Sequence, residues 1–311
     1  MKESTRHFYQ EAVRAAVERV AGDLDQVLDL TELSLIANLS PLHFHRIFRG
    51  MLGETPLELH RRLRLERAAL QLASSEAPVT MIAFDAGFET HESFTRAFQA
   101  AYSLAPTQFR KRMSLHRERM DSPERLPFEL PARDGIHFSP AGVTTNVILT
   151  SGGKDMEVVV EDMGELRVAA TTHLGPRKMV GEAFGRLAAI AGPQGLLAQP
   201  GAKMIAVFHD DPDTTPAAEL RTSAGVIVPE KCVIPAELTE LRIPAGKYAR
   251  ATHLGHYAGL SDSWDKLMGQ WLPSSEYRVV GRSSHEVYRV VDHSHPNKLE
   301  TDLYIAVSQY R

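Results

Sequence analysis

The sequence has 311 residues, which suggests about two domains, and a single cysteine, which excludes an intramolecular disulfide framework and a cysteine-rich metal site. No apolar run reaches the roughly eighteen residues of a membrane span, and the N-terminus lacks the apolar segment of a signal peptide. We therefore expect a cytoplasmic protein with no membrane partner.

The net charge of −4 is unevenly distributed. Between positions 40 and 119, twelve Lys or Arg stand against eight Asp or Glu, a local balance of +4, and eleven of the twelve are Arg. From position 120 onward, nineteen basic residues stand against twenty-four acidic ones, a balance of −5. Arginine makes bidentate contacts with phosphates and bases, so the first half suits a nucleic-acid partner and the acidic second half needs another role.

A helix, a turn and a second helix are predicted after an N-terminal support helix that runs from Ser4 to about Val20. The first helix of this motif begins near Leu30. Ser40 caps the second helix, and Gly53 ends it.

The second helix of the motif has two different faces. Apolar residues at i, i+3, i+4 and i+7 predict a buried stripe of Phe44, Ile47, Phe48 and Met51. The opposite face carries Leu42, His45, Arg46 and Arg49. Such a face suits a helix in the major groove, where side chains meet base edges and phosphates. An ordinary solvated face is the alternative, and this segment alone favours it.

A second copy of the pattern, fifty residues later, favours DNA contact instead. The buried stripe returns as Phe94, Ala97, Phe98 and Ala101. The outer face returns as Glu92, Thr95, Arg96 and Gln99, so that Arg96 matches Arg46. Between the copies, Thr55 and Pro56 open a connecting helix that ends near Ala73 and spans roughly 27 Å.

The duplicated motif resembles the DNA-binding domain of the AraC/XylS family of transcription regulators over about residues 5 to 113. The stretch IAFDAGFETHESFTRAFQAAYSLAPTQFR follows the second motif of that family nearly position by position. Three residues depart from the family pattern. Ser34 replaces a small apolar residue, Asn38 takes a turn position that Gly87 fills in the second motif, and Ser103 replaces the glycine that Gly53 supplies in the first.

This resemblance implies an all-α N-terminal domain with two helix-turn-helix units joined by a helix, and double-stranded DNA as its partner. The two matched helices and this resemblance together predict DNA contact by Leu42, His45, Arg46, Arg49, His91, Glu92, Thr95 and Arg96. RNA polymerase is open as a further partner.

Prolines without a sustained hydrophobic period predict a linker at residues 114–154, between a DNA-binding domain at 1–113 and a further domain at 155–311. Phe128, Ile136 and Phe138 are apolar, so docking of the linker on either domain stays open.

The last part of the chain contains a second internal repeat. VAATTHLGP at positions 168–176 returns as YARATHLGH at 248–256, an offset of eighty residues. Each copy predicts two strands, a helix and two more strands. Such a unit buries one sheet face under its own helix and needs its twin beside it.

These repeats resemble the GyrI-like ligand-binding domain over about residues 155 to 311, on the stretches IPAGKYARATHLGHY, LSDSWDKLMGQWL and HEVYR. The resemblance implies an α+β domain of two pseudo-symmetric β-β-α-β-β repeats. In that family a small molecule sits in the cleft between the repeats, and a buried glutamate recognises its positive charge. Carried over by motif, that residue is Glu286, with Tyr288, Trp264, Trp271 and Tyr257 as candidate walls. A structural salt bridge of Glu286 and a purely packing role of the tryptophans are the alternatives.

The two halves together predict a transcription regulator that senses a small, cationic or amphiphilic molecule, with no cofactor and no metal. His43 and His45 do not predict a metal site, because helical residues two apart point to different faces. His285, His293 and His295 could form a metal cluster, but a His-x-His pair in a turn flanked by proline is a weak signal. The alternative is a small-molecule hydrolase or detoxifying binder tethered to DNA. No nucleophile elbow, phosphate-binding loop or zinc motif is present in the sequence, and fusion to a DNA-binding domain favours sensing over catalysis.

Overall fold

The structure, a computed structural model, describes residues 2–117, 135–139, 142–145, 156–210, 215–290, 295 and 298–309. The chain divides into two compact units. The first unit comprises residues 1–11, 30–51 and 151–311, and the second unit comprises residues 12–29 and 52–150. These units do not follow the predicted domain limits, which remain a prediction.

Residues 2–117 form seven helices, as expected for an all-α region with two helix-turn-helix motifs. They are α1 (Lys2–Gly22), α2 (Leu30–Ile36), α3 (Pro41–Leu52), α4 (Pro56–Ser74), α5 (Val79–Asp85), α6 (His91–Tyr102) and α7 (Pro106–Arg117). The first motif, α2 and α3, lies in the first unit, and the second motif, α5 and α6, lies in the second. Both predicted stripes pack inward, except for Ala101, which is exposed.

Helix α4 is the central element of the second unit. Thr55 and Glu58 form a reciprocal capping box at its start, which satisfies backbone N–H groups that the helix leaves open. Further along α4, the Arg62 guanidinium forms ion pairs with Glu54 at 2.6 Å and with the fully buried Glu66 at 2.7 Å. A buried carboxylate is tolerated here because a cation and hydrogen bonds compensate its lost hydration.

Part of the predicted linker packs against α4. Strands β1 (Ile136–Ser139) and β2 (Gly142–Thr145) form an antiparallel hairpin in the second unit. The Ile136 carbonyl accepts from Arg62 at 2.9 Å, and the Phe138 amide donates to Glu66 at 2.8 Å. Ile136 is fully buried. Phe128 lies outside the described residues.

One eight-stranded sheet forms the body of the first unit, in the order β3-β8-β10-β9-β5-β6-β4-β7. Its strands are β3 (Val158–Met163), β4 (Leu166–Leu174), β5 (Met204–Phe208), β6 (Arg221–Ile227), β7 (Thr239–Ile243), β8 (Gly246–Leu254), β9 (Tyr277–Val290) and β10 (Glu300–Gln309). The predicted β-β-α-β-β repeats are confirmed as β3 to β6 and β7 to β10.

The two repeats exchange their first strands, which the sequence did not indicate. Strand β3 pairs with β8 of the second repeat, and β7 pairs with β4 of the first. Strands β5 and β9 join the repeats at the centre of the sheet. Each repeat therefore completes its sheet only with a strand of the other, which ties the two into one folding unit.

A helix from each repeat covers one face of this sheet. Helix α8 (Val180–Ala191) buries Ala183, Leu187 and Ala191. In the second repeat the equivalent segment is irregular: α9 (Leu260–Asp265) continues into a π-helical stretch (Lys266–Trp271) and then α10 (Leu272–Ser274). A π-helical turn closes i to i+5 hydrogen bonds and is frequent at functional sites.

The start of α1 belongs to the first unit through contacts with β9. The Val279 amide donates to the Tyr9 hydroxyl at 3.0 Å, and the Arg278 guanidinium lies 3.6 Å from the Phe8 ring centre. Burial raises the pKa of Tyr9 to about 12. No helix among the described residues is both long and apolar enough to cross a membrane.

Left-handed backbone residues follow both helices of each helix-turn-helix motif. The φ angles are +53° at Asn38, +74° at Gly53, +77° at Gly87 and +57° at Ser103. Each motif thus has one glycine and one residue with a side chain at these positions. Serine adopts this conformation less readily than asparagine, so the end of α6 carries the larger conformational cost.

We expect Ser103→Gly to stabilise the chain by about 0.5–1 kcal/mol, because glycine has no Cβ to strain the left-handed cap at the end of α6. Asn38→Gly is the matched control and should stabilise less. Thermal or urea unfolding measures both. A Ser103→Gly variant that is less stable than wild type would contradict the assigned strain.

Candidate DNA-binding helices and effector site

The outer face of α6 is open in the second unit. Thr90 caps the helix by accepting from the Ser93 amide at 3.1 Å, and Phe94 and Phe98 pack inward at 0% exposure. Glu92 and Arg96 are exposed, while His91 and Thr95 are half-buried. His91, Glu92 and Arg96, three of the four residues that the sequence assigns to DNA contact on α6, therefore lie where base edges and phosphates can reach them, whereas the Thr95 hydroxyl is buried.

The matching face of α3 is covered. Leu42, His45 and Arg46 are only 6%, 5% and 6% exposed, and every residue from 42 to 48 is buried. In the described arrangement these three side chains cannot meet a base edge. This differs from the exposed outer face that the helical period predicts, because another element of the first unit packs on that face.

The covering element is the irregular helix of the second repeat. The Arg46 guanidinium lies 3.9 Å from the centre of the Trp264 ring and 5.4 Å from that of Phe208. Arg49 lies 3.3 Å from the Asp265 carboxylate and remains partly exposed. Burial raises the pKa of Asp265, and the nearby cation of Arg49 opposes that rise.

Two glycines allow this close approach. A Cβ placed on Gly50 would lie 2.5 Å from the Asp265 carbonyl oxygen and 2.7 Å from the Gly269 Cα. A Cβ placed on Gly269 would collide with the Gly50 backbone. Real Cβ atoms do not approach backbone this closely, so α3 and the π-helical stretch pack backbone to backbone at this point.

Glu286 lies on β9 beneath α9 and is 5% exposed. The Trp264 indole N–H donates to one carboxylate oxygen at 2.8 Å, and the Tyr288 hydroxyl donates to the other at 2.9 Å. In the part of the chain that the structure describes, neither oxygen has an ion-pair partner, so the structural salt bridge considered from the sequence finds no cation here. The site is a buried carboxylate held by two neutral donors.

Aromatic rings surround this carboxylate. Tyr257 lies edge to face with Tyr288, with ring centres 5.5 Å apart, and Phe184 of α8 meets the same ring at 5.4 Å. Burial raises the pKa of Tyr288 well above its usual range and, together with the nearby Glu286 charge, keeps this phenol protonated. The same two causes raise the pKa of Tyr257.

Trp271 has a different neighbour. Its ring stacks on Tyr277 at 6.3 Å between centres and 14° between planes. The sequence placed Trp264 and Trp271 on one helical face because seven residues make nearly two α-helical turns. The π-helical stretch between them widens the turn and shifts Trp271 around the axis.

Phe184 and Phe208 complete the aromatic cluster and were not singled out from the sequence as wall residues. Phe184 matches Trp264 at the eighty-residue offset, which is a signal that the repeat contained. Phe208 ends β5 and meets Trp264 edge to face at 6.3 Å. Only the pairing of β5 with β9 brings it there.

The neighbouring His285 faces the opposite side of the sheet, because side chains alternate along a strand. Its ring stacks on Tyr304 at 4.9 Å, and burial lowers its pKa to about 3. No group of three or more metal-ligating side chains is present among the described residues. His293, one member of the His293-x-His295 pair, lies outside them.

Comparisons with known proteins agree with this geometry. A family model described as a helix-turn-helix domain matches residues 33–112, and one described as a GyrI-like small molecule binding domain matches residues 156–308. Regulatory protein SoxS of Salmonella typhimurium is 28% identical over 105 residues, which cover 34% of this chain and 98% of SoxS.

HTH-type transcriptional regulator GlxA of Rhizobium meliloti is 32% identical over 101 residues, which cover 32% of this chain and 31% of GlxA. The chain thus spans about a third of the length of that relative. The C-terminal domain of EcmrR has a distant likeness, with a TM-score of 0.40 and 18% identity over 50% of this chain and 99% of that one. The chain thus carries a helix-turn-helix domain of the AraC type, as its relatives among the transcriptional regulators do, together with a GyrI-like small molecule binding domain.

Proposed function

We propose that the chain regulates transcription by binding double-stranded DNA through its helix-turn-helix motifs and by sensing a small aromatic or amphiphilic cation at Glu286. The observation that carries this proposal is the buried Glu286 carboxylate between Trp264 and Tyr288. A buried carboxylate without a cation is costly, and a bound cation offsets that cost.

The chemistry around Glu286 favours a cation with apolar surface. Aromatic faces attract cations through the negative potential of the ring, and they also bury apolar groups. The apolar side chains across the sheet, Ala206 on β5 and Leu303 on β10, pair with Glu286 and keep the local dielectric low. Coulomb attraction between the carboxylate and a bound cation is stronger in such surroundings than in water.

DNA binding is supported most directly by α6, whose outer face is exposed. Arg96 offers a planar fork of donors to a base edge or a phosphate. Exposed Lys111 and Arg112 on α7 add positive charge to the same unit. RNA polymerase is a partner that this function would involve, and DNA binding can be tested without it.

We expect Arg96→Ala to weaken binding to a specific duplex by about 1–3 kcal/mol, the usual cost of losing a bidentate contact. The duplex is one enriched from a random-sequence pool by the full chain, and fluorescence anisotropy measures the affinity. Arg186→Ala, an exposed arginine on α8, is the matched control and should bind like wild type. Equal affinities for Arg96→Ala and wild type would remove α6 from the interface.

We expect Glu286→Gln to weaken binding of benzyltrimethylammonium by on the order of 2 kcal/mol or more, because the desolvated charge of the ligand then lacks its counter-charge. Neopentylbenzene, which has the same shape without the charge, should bind both proteins equally. Isothermal calorimetry measures both ligands, with the exposed Glu219→Gln variant as control. Equal affinity of wild type and Glu286→Gln for the cation would assign Glu286 a structural role.

A hydrolase or detoxifying binder is the second candidate, because a carboxylate beside a phenol could also assist hydrolysis. The link to a helix-turn-helix domain favours sensing. A sensor returns its ligand unchanged, whereas an enzyme releases a product. Mass spectrometry of esters of aromatic cations after incubation with the protein separates the two: a Glu286-dependent product would put catalysis first.

A further inference from the structure

We propose that α3 is held in an autoinhibited position by its contact with Trp264, and that a cation bound at Glu286 displaces Arg46 and frees α3 for DNA. This inference rests on the proposed function and adds its mode of regulation. It makes Arg46 the internal competitor of the effector.

The first support is the difference between two equivalent helices. Arg46 and Arg96 occupy the same position in the duplicated motif, yet Arg46 is 6% exposed and Arg96 is exposed. Helix α3 must present its outer face to a groove in order to contact bases. The described arrangement of the first unit prevents this, so DNA binding by α3 requires the contact to open.

The second support is that one indole serves both sites. The face of Trp264 carries the Arg46 guanidinium at 3.9 Å, and its N–H holds the Glu286 carboxylate at 2.8 Å. A cationic ligand drawn to Glu286 seeks the same aromatic face that Arg46 occupies. One face binds one cation at a time, so ligand and Arg46 compete.

The third support is that only the second repeat offers the surface on which α3 packs, which is formed by α9 and the π-helical stretch. Gly269 meets Gly50 backbone to backbone, whereas the first repeat has Ala189 at the equivalent position. The π-helical stretch also belongs to the second repeat alone among the described residues. Asp265 adds charge complementarity, because its carboxylate lies 3.3 Å from the guanidinium of Arg49 on α3.

Competition between Arg46 and the cation for Trp264 couples the binding of the cation to the binding of duplex DNA. A cation that favours the open state raises duplex affinity, and by thermodynamic linkage the duplex raises cation affinity by the same factor. A variant that opens the contact without ligand should bind duplex tightly from the start and lose its response to the cation.

The test uses the full chain with Gly269→Ala, whose added methyl collides with the Gly50 backbone and opposes docking. Gly185→Ala is the matched control, since Gly185 lies in the helix of the other repeat with open space around it. Anisotropy with the pool-enriched duplex should show about fivefold or greater tightening for Gly269→Ala and none for Gly185→Ala. Saturating benzyltrimethylammonium should tighten wild type but not Gly269→Ala.

Asp265→Asn is the second variant, in case Gly269→Ala does not fold by circular dichroism. It preserves shape, removes the carboxylate that attracts α3, and should tighten duplex binding in the same direction. If Gly269→Ala and Asp265→Asn, both folded, bind duplex like wild type while Arg96→Ala weakens it, autoinhibition is wrong and the proposed function stands. If neither wild type nor any of these variants enriches a duplex from the random-sequence pool, the proposed function itself is wrong.

Discussion

The indole of Trp264 is contacted by two groups of opposite charge, the Arg46 guanidinium at its face and the Glu286 carboxylate at its N–H edge. This matches the charge distribution of an indole, whose face is negative and whose N–H is a donor. Three other features of the first unit position Glu286, Trp264 and Arg46 for these contacts. Strand β9 fixes the carboxylate, α9 carries the indole, and Gly269 lets α3 approach closely enough for Arg46 to reach the ring.

The sheet explains how so polar a centre is kept in place. Strand β9 lies at the centre of the sheet and pairs with β10 on one side and β5 on the other, while the exchanged strands β3 and β7 make each repeat complete the sheet of its twin. The carboxylate is thus held on the most constrained part of the sheet, whereas the irregular helix above it holds the movable partner. A centrally paired strand beneath a less regular helix suits a ligand-dependent switch, in which one packed element moves against another.

The sequence predicts those features that have a local period or a repeat. The stripe at Phe44 and Phe48 follows helical spacing, and the offset of eighty residues shows that the same succession of strands and helix occurs twice along the chain. It does not predict that Arg46 is covered, because a charged residue on a polar face has no local signal for tertiary burial. The predicted position of Trp271 beside Trp264 assumed α-helical geometry, and the π-helical stretch changes that geometry. The role of Gly269 depends on its contact with Gly50, which is distant in sequence and gives no local signal.

The central claim is that Arg46 leaves Trp264 when α3 binds DNA, and the fluorescence of Trp264 tests it most directly. The sequence has two tryptophans, so Trp271→Phe leaves Trp264 as the only tryptophan, which can be excited apart from the tyrosines, and keeps a ring to stack on Tyr277. Acrylamide, a neutral quencher, then measures access to the indole. We predict a clear increase in the quenching constant when the pool-enriched duplex saturates the protein, since the covering guanidinium has moved away. Equal quenching in the free and duplex-bound protein would contradict the account.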